Sequence, residues 1–218
     1  MASLNLDTGI RDNLVERIIL SLEGAVPGSI ALLRGSLAAG NADAYSDIDI
    51  LWEIPDDRFQ VAVNSIGEIL SKAGPVEFLR SDPAFQNSAK RRLFFVQFQD
   101  IPLFWRADID LFAQSAERNP EYDVNNAAAR GDDWSLTHSA LMNAIAAVKA
   151  LLRQREELAR QLLRRGFERI GLAEPEGEPQ ELILKLAADV ARADPTRAKL
   201  AGRVMELHRQ AFGRIDRR

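Results

Sequence analysis

Leu33-Arg34-Gly35-Ser36, followed after ten residues by Asp47-Ile48-Asp49, is the stretch of this 218-residue sequence that decides its fold. The apolar run that precedes the Gly-Ser pair, within Ser29 to Arg34, reads as a short buried strand ending in a tight turn at a sheet edge. Glycine lets the backbone approach a phosphate closely, and the Ser36 hydroxyl and nearby amides can donate to phosphate oxygens. From Ser46 to Ile54 acidic and apolar residues alternate, which is a strand of period two, so Asp47 and Asp49 project from one face. Two carboxylates on one face repel unless a cation sits between them, so the pair suits a divalent metal. The connecting loop, Leu37 to Ser46, carries Gly40, Asn41 and Asp43 and is flexible enough to turn the Gly-Ser pair and the acids toward one pocket.

Downstream, Trp105-Arg106-Ala107-Asp108-Ile109-Asp110-Leu111-Phe112 is a second acidic strand in which Asp108 and Asp110 share a face. A third carboxylate beside the first pair would complete a two-metal site for in-line nucleotidyl transfer. Around these strands, helical spacing of apolar residues predicts helices over Arg11 to Gly24 and from about Arg58 to Lys72. A strand is expected at Val76 to Leu79, a loop over Arg80 to Lys90, and a hairpin of Arg92 to Gln99 with Pro102 to Ala113 turning at Asp100. The expected class is α+β (α/β), with a mixed sheet flanked by helices.

The character changes near Glu117-Arg118-Asn119-Pro120, which predicts two domains, 1–116 and an all-helical 117–218. After Asp132-Asp133, which can cap, one long helix is expected from Trp134 to about Arg165, then helices over Gln180 to Ala193 and Thr196 to Arg214. The chain has no cysteine and only His138 and His208, which excludes thiolate sites and argues against a His-rich zinc site. A catalytic metal must therefore be held by oxygen, which means magnesium or manganese. The net charge of −4 argues against a general nucleic-acid binder. No signal-like N-terminus and no membrane-length apolar run is present, so a cytoplasmic location is expected.

The Gly-Ser, ten-residue gap, Asp-x-Asp pattern with a later acid in an apolar strand resembles the DNA polymerase β-like nucleotidyltransferase superfamily. A small domain of this kind before a helical one is similar in layout to the aminoglycoside and lincosamide nucleotidyltransferases and their bacterial relatives. The motifs span residues 29–112; beyond them the likeness is architectural. By this resemblance Gly35 and Ser36 hold the nucleotide's phosphates, and Asp47 and Asp49 bind two magnesium ions. A third acid binds the metal next to the attacking hydroxyl. Asp110 best fits the family's apolar-Asp-apolar-apolar pattern, and Asp108 on the same face is its rival. Lys149 has a suitable place to match a lysine that reaches the triphosphate from the first long helix, or to be a solvated helical lysine.

Other residues have plainer readings. Arg34 and Arg106 are expected in structural ion pairs, His138 in packing or capping, and Glu156 and Glu157 on a salt-bridged helix surface. Trp52, Trp105 and Trp134 are expected in the core rather than stacked on a base or sugar. Two functions are implied. The first is transfer of a nucleoside monophosphate, AMP from ATP or another nucleoside triphosphate, to a hydroxyl of a small-molecule acceptor. The second is binding or modification of a protein partner, as in antitoxin-like members of the superfamily, with catalysis reduced.

Overall fold

The computed structural model describes residue 4, residues 6–116 and residues 121–213. The chain divides into two compact units, one of Leu6–Trp134 and one that begins at Ser135. The expected boundary after residue 116 falls beside residues 117–120, which lie outside the described residues. Residues 121–134 are tied to the first unit by hydrogen bonds, including Asn87 N to the Ala129 carbonyl at 2.8 Å and Gly131 N to the Pro83 carbonyl at 2.9 Å.

The first unit holds α1 (Thr8–Ala25), β1 (Ile30–Leu33), a single turn α2 (Gly35–Ala38), β2 (Ile48–Ile54), α3 (Asp56–Ser71), β3 (Val76–Ser81), β4 (Arg91–Phe98) and β5 (Ala107–Ala113). The five strands form one mixed sheet in the order β1-β2-β5-β4-β3. Only β2 and β5 run parallel, and every other neighbouring pair is antiparallel. This is the α+β class expected from the sequence. β2 buries Ile48, Ile50, Trp52 and Ile54 almost completely, while Asp49 and Glu53 between them stay half-exposed. That alternation turns the apolar set into the core and presents the acids on the opposite face. Leu14, Val15, Ile18 and Leu22 of α1, and Phe59, Ala62 and Ile66 of α3, complete this core.

Two boundaries differ from expectation. β4 and β5 pair as foreseen, yet β5 starts at Ala107 instead of Pro102. The connection includes Asp100 at φ 57° and buries Leu103, Phe104 and Trp105, so this apolar run is a packed loop. The one-turn α2, with no apolar periodicity to announce it, directly follows β1.

The second unit consists of α4 (Leu136–Leu152), α5 (Glu156–Arg169), α6 (Pro179–Ala193) and α7 (Ala198–Phe212). Ser135, and not Asp132 or Asp133, caps α4, its side chain accepting from His138 N at 3.1 Å. The single helix expected to run to Arg165 is broken. Gln154 takes a left-handed conformation, φ 58°, and Arg155 N bonds back to the Ala150 carbonyl at 2.8 Å. A second helix then begins on Glu156 and Glu157, acids that favour a first turn. Gly166 makes room for α6, because a β-carbon there would collide with Leu186. Among the described residues no helix is long and apolar enough to cross a membrane.

Candidate functional site

The site is built on the C-terminal end of β1 and the facing ends of β2 and β5. Leu33 pairs with Ile50, and Arg34 N continues the ladder by donating to the Asp49 carbonyl at 2.8 Å. The chain must then turn away at once, and Gly35 does so at φ 60°. A side chain would be strained there, and its β-carbon would overlap Oδ2 of Asp49. Gly35 is therefore required twice over, by its backbone conformation and by the carboxylate against it. Ser36 follows, half-buried. The α2 turn closes through Ala39 N to the Gly35 carbonyl at 3.1 Å and Asn41 N to the Ser36 carbonyl at 3.1 Å.

The loop back to β2 is held at several points. Arg11 of α1, itself buried, donates to the Asp43 carbonyl at 2.7 Å, and Trp105 Nε1 donates to the Ala44 carbonyl at 2.9 Å. Tyr45 N donates to Asp43 Oδ1, and Ser46 Oγ exchanges bonds with the Asp43 backbone and carboxylate. Asp47 thus enters the site from a fixed loop. Neither Arg11 nor Trp105 was marked by the sequence as a support for this loop.

β5 then brings its acids alongside. In the parallel register Asp49 lies opposite Asp108, and Leu51 opposite Asp110. On the other side of β5, Phe95 lies opposite Asp108, and Arg80 opposite Phe95. A single row, Arg34-Asp49-Asp108-Phe95-Arg80, therefore crosses the sheet. Arg34, Gly35, Asp49, Ile50, Leu93, Asp108 and Asp110 line one pocket of about 360 Å³. Of the residues marked in the sequence, the pocket gathers Arg34, Gly35, Asp49, Asp108 and Asp110; Ser36 and Asp47 do not line it, although Asp47 is close enough to influence Asp108 electrostatically.

The two acids of β5 have different surroundings. Asp110 is buried, and Arg91, also buried, grips it with Nε on Oδ1 and Nη2 on Oδ2, both at 3.1 Å. Arg34 adds a longer bond of 3.3 Å from Nη1 to Oδ2. Burial raises the Asp110 pKa, although both arginines oppose it. Arg91 also donates to the Tyr122 carbonyl at 3.0 Å, so this pair fastens the 121–124 turn to the sheet. Asp108 is held by Arg106, Nε to Oδ1 at 2.6 Å and Nη2 to Oδ2 at 2.5 Å. Burial pushes the Asp108 pKa up to about 6 in spite of Arg106, and the negative charges of Asp47 and Asp49 push the same way. Asp108 is thus a β5 acid that feels the Asp47–Asp49 pair. The ion pairs expected for Arg34 and Arg106 are both present.

The donor chemistry at Asp47 and Asp49 is that of hard oxygen ligands, the kind magnesium takes, one or two at a time, together with substrate phosphates. A third ligand is a different matter. Both oxygens of Asp108 and both of Asp110 are engaged by guanidinium groups, and among the described residues no three acids or histidines are grouped to hold a metal ion.

The remaining marked residues lie elsewhere. Lys149 is half-buried in the last turn of α4, and His138 is buried in the first. Glu156 pairs with Arg160 at 3.1 Å, as a surface helix pair. Trp52 and Trp105 are core residues, whereas Trp134 is half-exposed under the guanidinium of Arg80, 4.3 Å from its centroid.

No protein-family model matches the chain, and no curated protein matches it. Among solved structures, the GLD-2/RNP-8 complex is similar at 17% identity over 88% of this chain and 62% of that one, with a TM-score of 0.31. The chain thus spans less than two thirds of that protein's length. An H. pylori protein provisionally named a nucleotidyltransferase is similar at 12% identity over 95% of this chain and 94% of its own, with a TM-score of 0.32. Likeness at this level carries no argument about activity, which rests on the pocket itself.

Proposed function

We propose that the chain is a nucleotidyltransferase that moves a nucleoside monophosphate, AMP from ATP, onto a hydroxyl of a small-molecule acceptor and releases pyrophosphate. The observation that supports this most is the packing of Gly35 directly against the Asp49 carboxylate. A backbone without a side chain and a carboxylate of the kind that magnesium takes then lie side by side in one pocket.

In this reading Asp47 and Asp49 would hold magnesium bound to the triphosphate. Such an ion, when bound, neutralises charge on the transferring and leaving phosphates. Ser36 donates its hydroxyl to a phosphate oxygen. Arg34, whose side chain is 42% exposed and whose bond to Asp110 is long, can swing to the same phosphates. The acceptor oxygen attacks the α phosphorus, its bond to the β-phosphate oxygen breaks, pyrophosphate departs, and the hydroxyl proton passes to solvent. Catalysis here is mostly positioning and charge compensation, which fixed loop bonds at Asp43 and Ala44 and the Gly35 turn supply.

The test is calorimetric titration of ATP with and without magnesium into the wild type and an Asp47→Ala/Asp49→Ala double variant. The expected result is magnesium-dependent binding that the double variant loses, followed by pyrophosphate release when hydroxyl-bearing acceptors are screened. Silence of the wild type toward ATP and the other nucleoside triphosphates would overturn the reading.

A further inference from the structure

The pocket differs at its two ends. On the β1 side it is closed by Arg34 and the bare backbone of Gly35, and on the β4 side by Leu93. Strand alternation carries that second side further out. Phe95 stands two residues from Leu93 on the same face of β4, opposite Asp108, and both are half-buried. Trp134, also half-buried, meets Phe95 edge-on, with ring centroids 6.0 Å apart at 64°. Leu93, Phe95 and Trp134 thus make an apolar shelf that begins at the pocket rim. Guanidinium groups border it, that of Arg106 4.7 Å from the centroid of Phe95 and that of Arg80 4.3 Å from the centroid of Trp134. The acids at its inner edge are paired with cations as well, Asp108 with Arg106 and Asp110 with Arg91 and Arg34.

Resting on the nucleotidyltransferase reading above, we propose that this shelf is the acceptor subsite, and that the acceptor carries its hydroxyl on a flat, uncharged or anionic ring system and not on a polycationic sugar. In an in-line displacement the attacking oxygen and the leaving oxygen lie on opposite sides of the α phosphorus. With the leaving phosphates beside Arg34 and Gly35 at β1, the attack comes from the β4 side, where Leu93 and Phe95 stand. These two side chains offer contact area to a ring and have no hydrogen bond to give a saturated polyol. The arginines that border the shelf repel an ammonium group and attract an anionic substituent. Phe95 and Trp134 are then specificity-determining residues, and the bonds made and broken are those of the transfer already described.

The experiment compares acceptors in matched pairs. Pyrophosphate release from magnesium-ATP is followed with uridine against methyl riboside, with 2-phenylethanol against 2-cyclohexylethanol, and with the polycation kanamycin. The flat-ring member of each pair is expected to show a KM about tenfold below that of its saturated partner, as one stacked ring gives, with kanamycin the poorest acceptor. Phe95→Leu is expected to raise the flat-ring KM about tenfold and leave magnesium-ATP affinity unchanged, whereas Phe95→Tyr keeps the preference. Trp134→Leu is read in its place if Phe95→Leu does not fold. Preference for kanamycin or for the saturated members, or a flat-ring KM unmoved in a folded variant, would overturn the proposal. So would silence of every acceptor in a chain that binds magnesium-ATP, an outcome that leaves nucleotidyl transfer standing. Absence of magnesium-ATP binding removes both readings together.

Discussion

Arg91 closes both carboxylate oxygens of Asp110 across the antiparallel β4–β5 pair, at 3.1 Å each, with both residues buried. A pair held this way is a structural bolt, and breaking one half leaves an uncompensated buried charge. Arg91→Met is therefore expected to destabilise the chain by about 3–5 kcal/mol. The Arg91→Met/Asp110→Leu double variant recovers most of that loss, since buried pairs and apolar replacements of similar volume are close in stability. Urea denaturation of the singles and the double checks this, and additive losses would count against it.

Gly35→Ala tests the turn. A left-handed alanine costs on the order of 1–2 kcal/mol by itself, and here the added methyl also displaces the Asp49 carboxylate. The expected outcome is a modest drop in melting temperature with a much larger loss, roughly tenfold or more, in magnesium-ATP affinity, as about 1.4 kcal/mol of misplaced ligand energy gives. Equal and small effects on both would show that Asp49 does not face the nucleotide.

Trp105→Phe removes one hydrogen bond, to the Ala44 carbonyl, and keeps an aromatic ring in the core. It is expected to cost about 1 kcal/mol of stability. Because that bond steadies the loop that delivers Asp47, affinity for the metal-nucleotide complex falls several-fold as well. Calorimetry on the variant reads both quantities.

Gln154→Gly is expected to stabilise the chain. Gln154 occupies the left-handed region at φ 58° between α4 and α5, where glycine carries no steric cost. A gain of about 0.5–1 kcal/mol in urea denaturation is the expected result, the steric relief less the extra entropy of an unfolded glycine.

Acid sensitivity follows from Asp189 in α6. Burial would raise its pKa, but bonds from Lys185 at 2.9 Å and Arg192 at 2.8 Å outweigh burial and hold it below its ordinary value of 3.8. A carboxylate depressed by folding contributes stability above its unfolded pKa and loses it as pH falls through the folded value. The wild type is thus expected to lose more stability than Asp189→Asn between pH 7 and pH 2. Parallel denaturation midpoints for the two proteins over that interval would contradict it.

How much of this was legible follows from the range over which each feature is determined. The Asp49 face of β2 was readable because strand alternation is local, although the strand begins at Ile48 and not at Ser46, so Asp47 stands in the loop before it; Gly35 was readable because a tight turn favours glycine. The break at Gln154 was not, since neither glycine nor proline marks it; the paired Glu156 and Glu157 were the available sign of a new helix start. The different surroundings of Asp108 and Asp110 were not readable either. They depend on the register of β5 against β2 and on Arg91 reaching Asp110 from the neighbouring strand, and no local pattern encodes a register. Arg106, only two positions before Asp108, was close enough to be marked as an ion-pair partner, yet its two-point grip emerged only from the fold.

The parallel pairing of β2 with β5 also bears on how the chain reaches this state. Asp49 and Asp108 meet across a loop of roughly sixty residues, so their contact is among the slower ones to form. Docking the two strands brings like charges together, an uphill step for a chain that has not yet captured any ligand. Arg106 offsets that repulsion, because its partner is only two residues away in the sequence and their pairing needs no contact with β2. The strand that pairs with β2 thus carries its own counter-charge for Asp108. This arginine thereby lowers the electrostatic cost of holding the two acidic strands side by side.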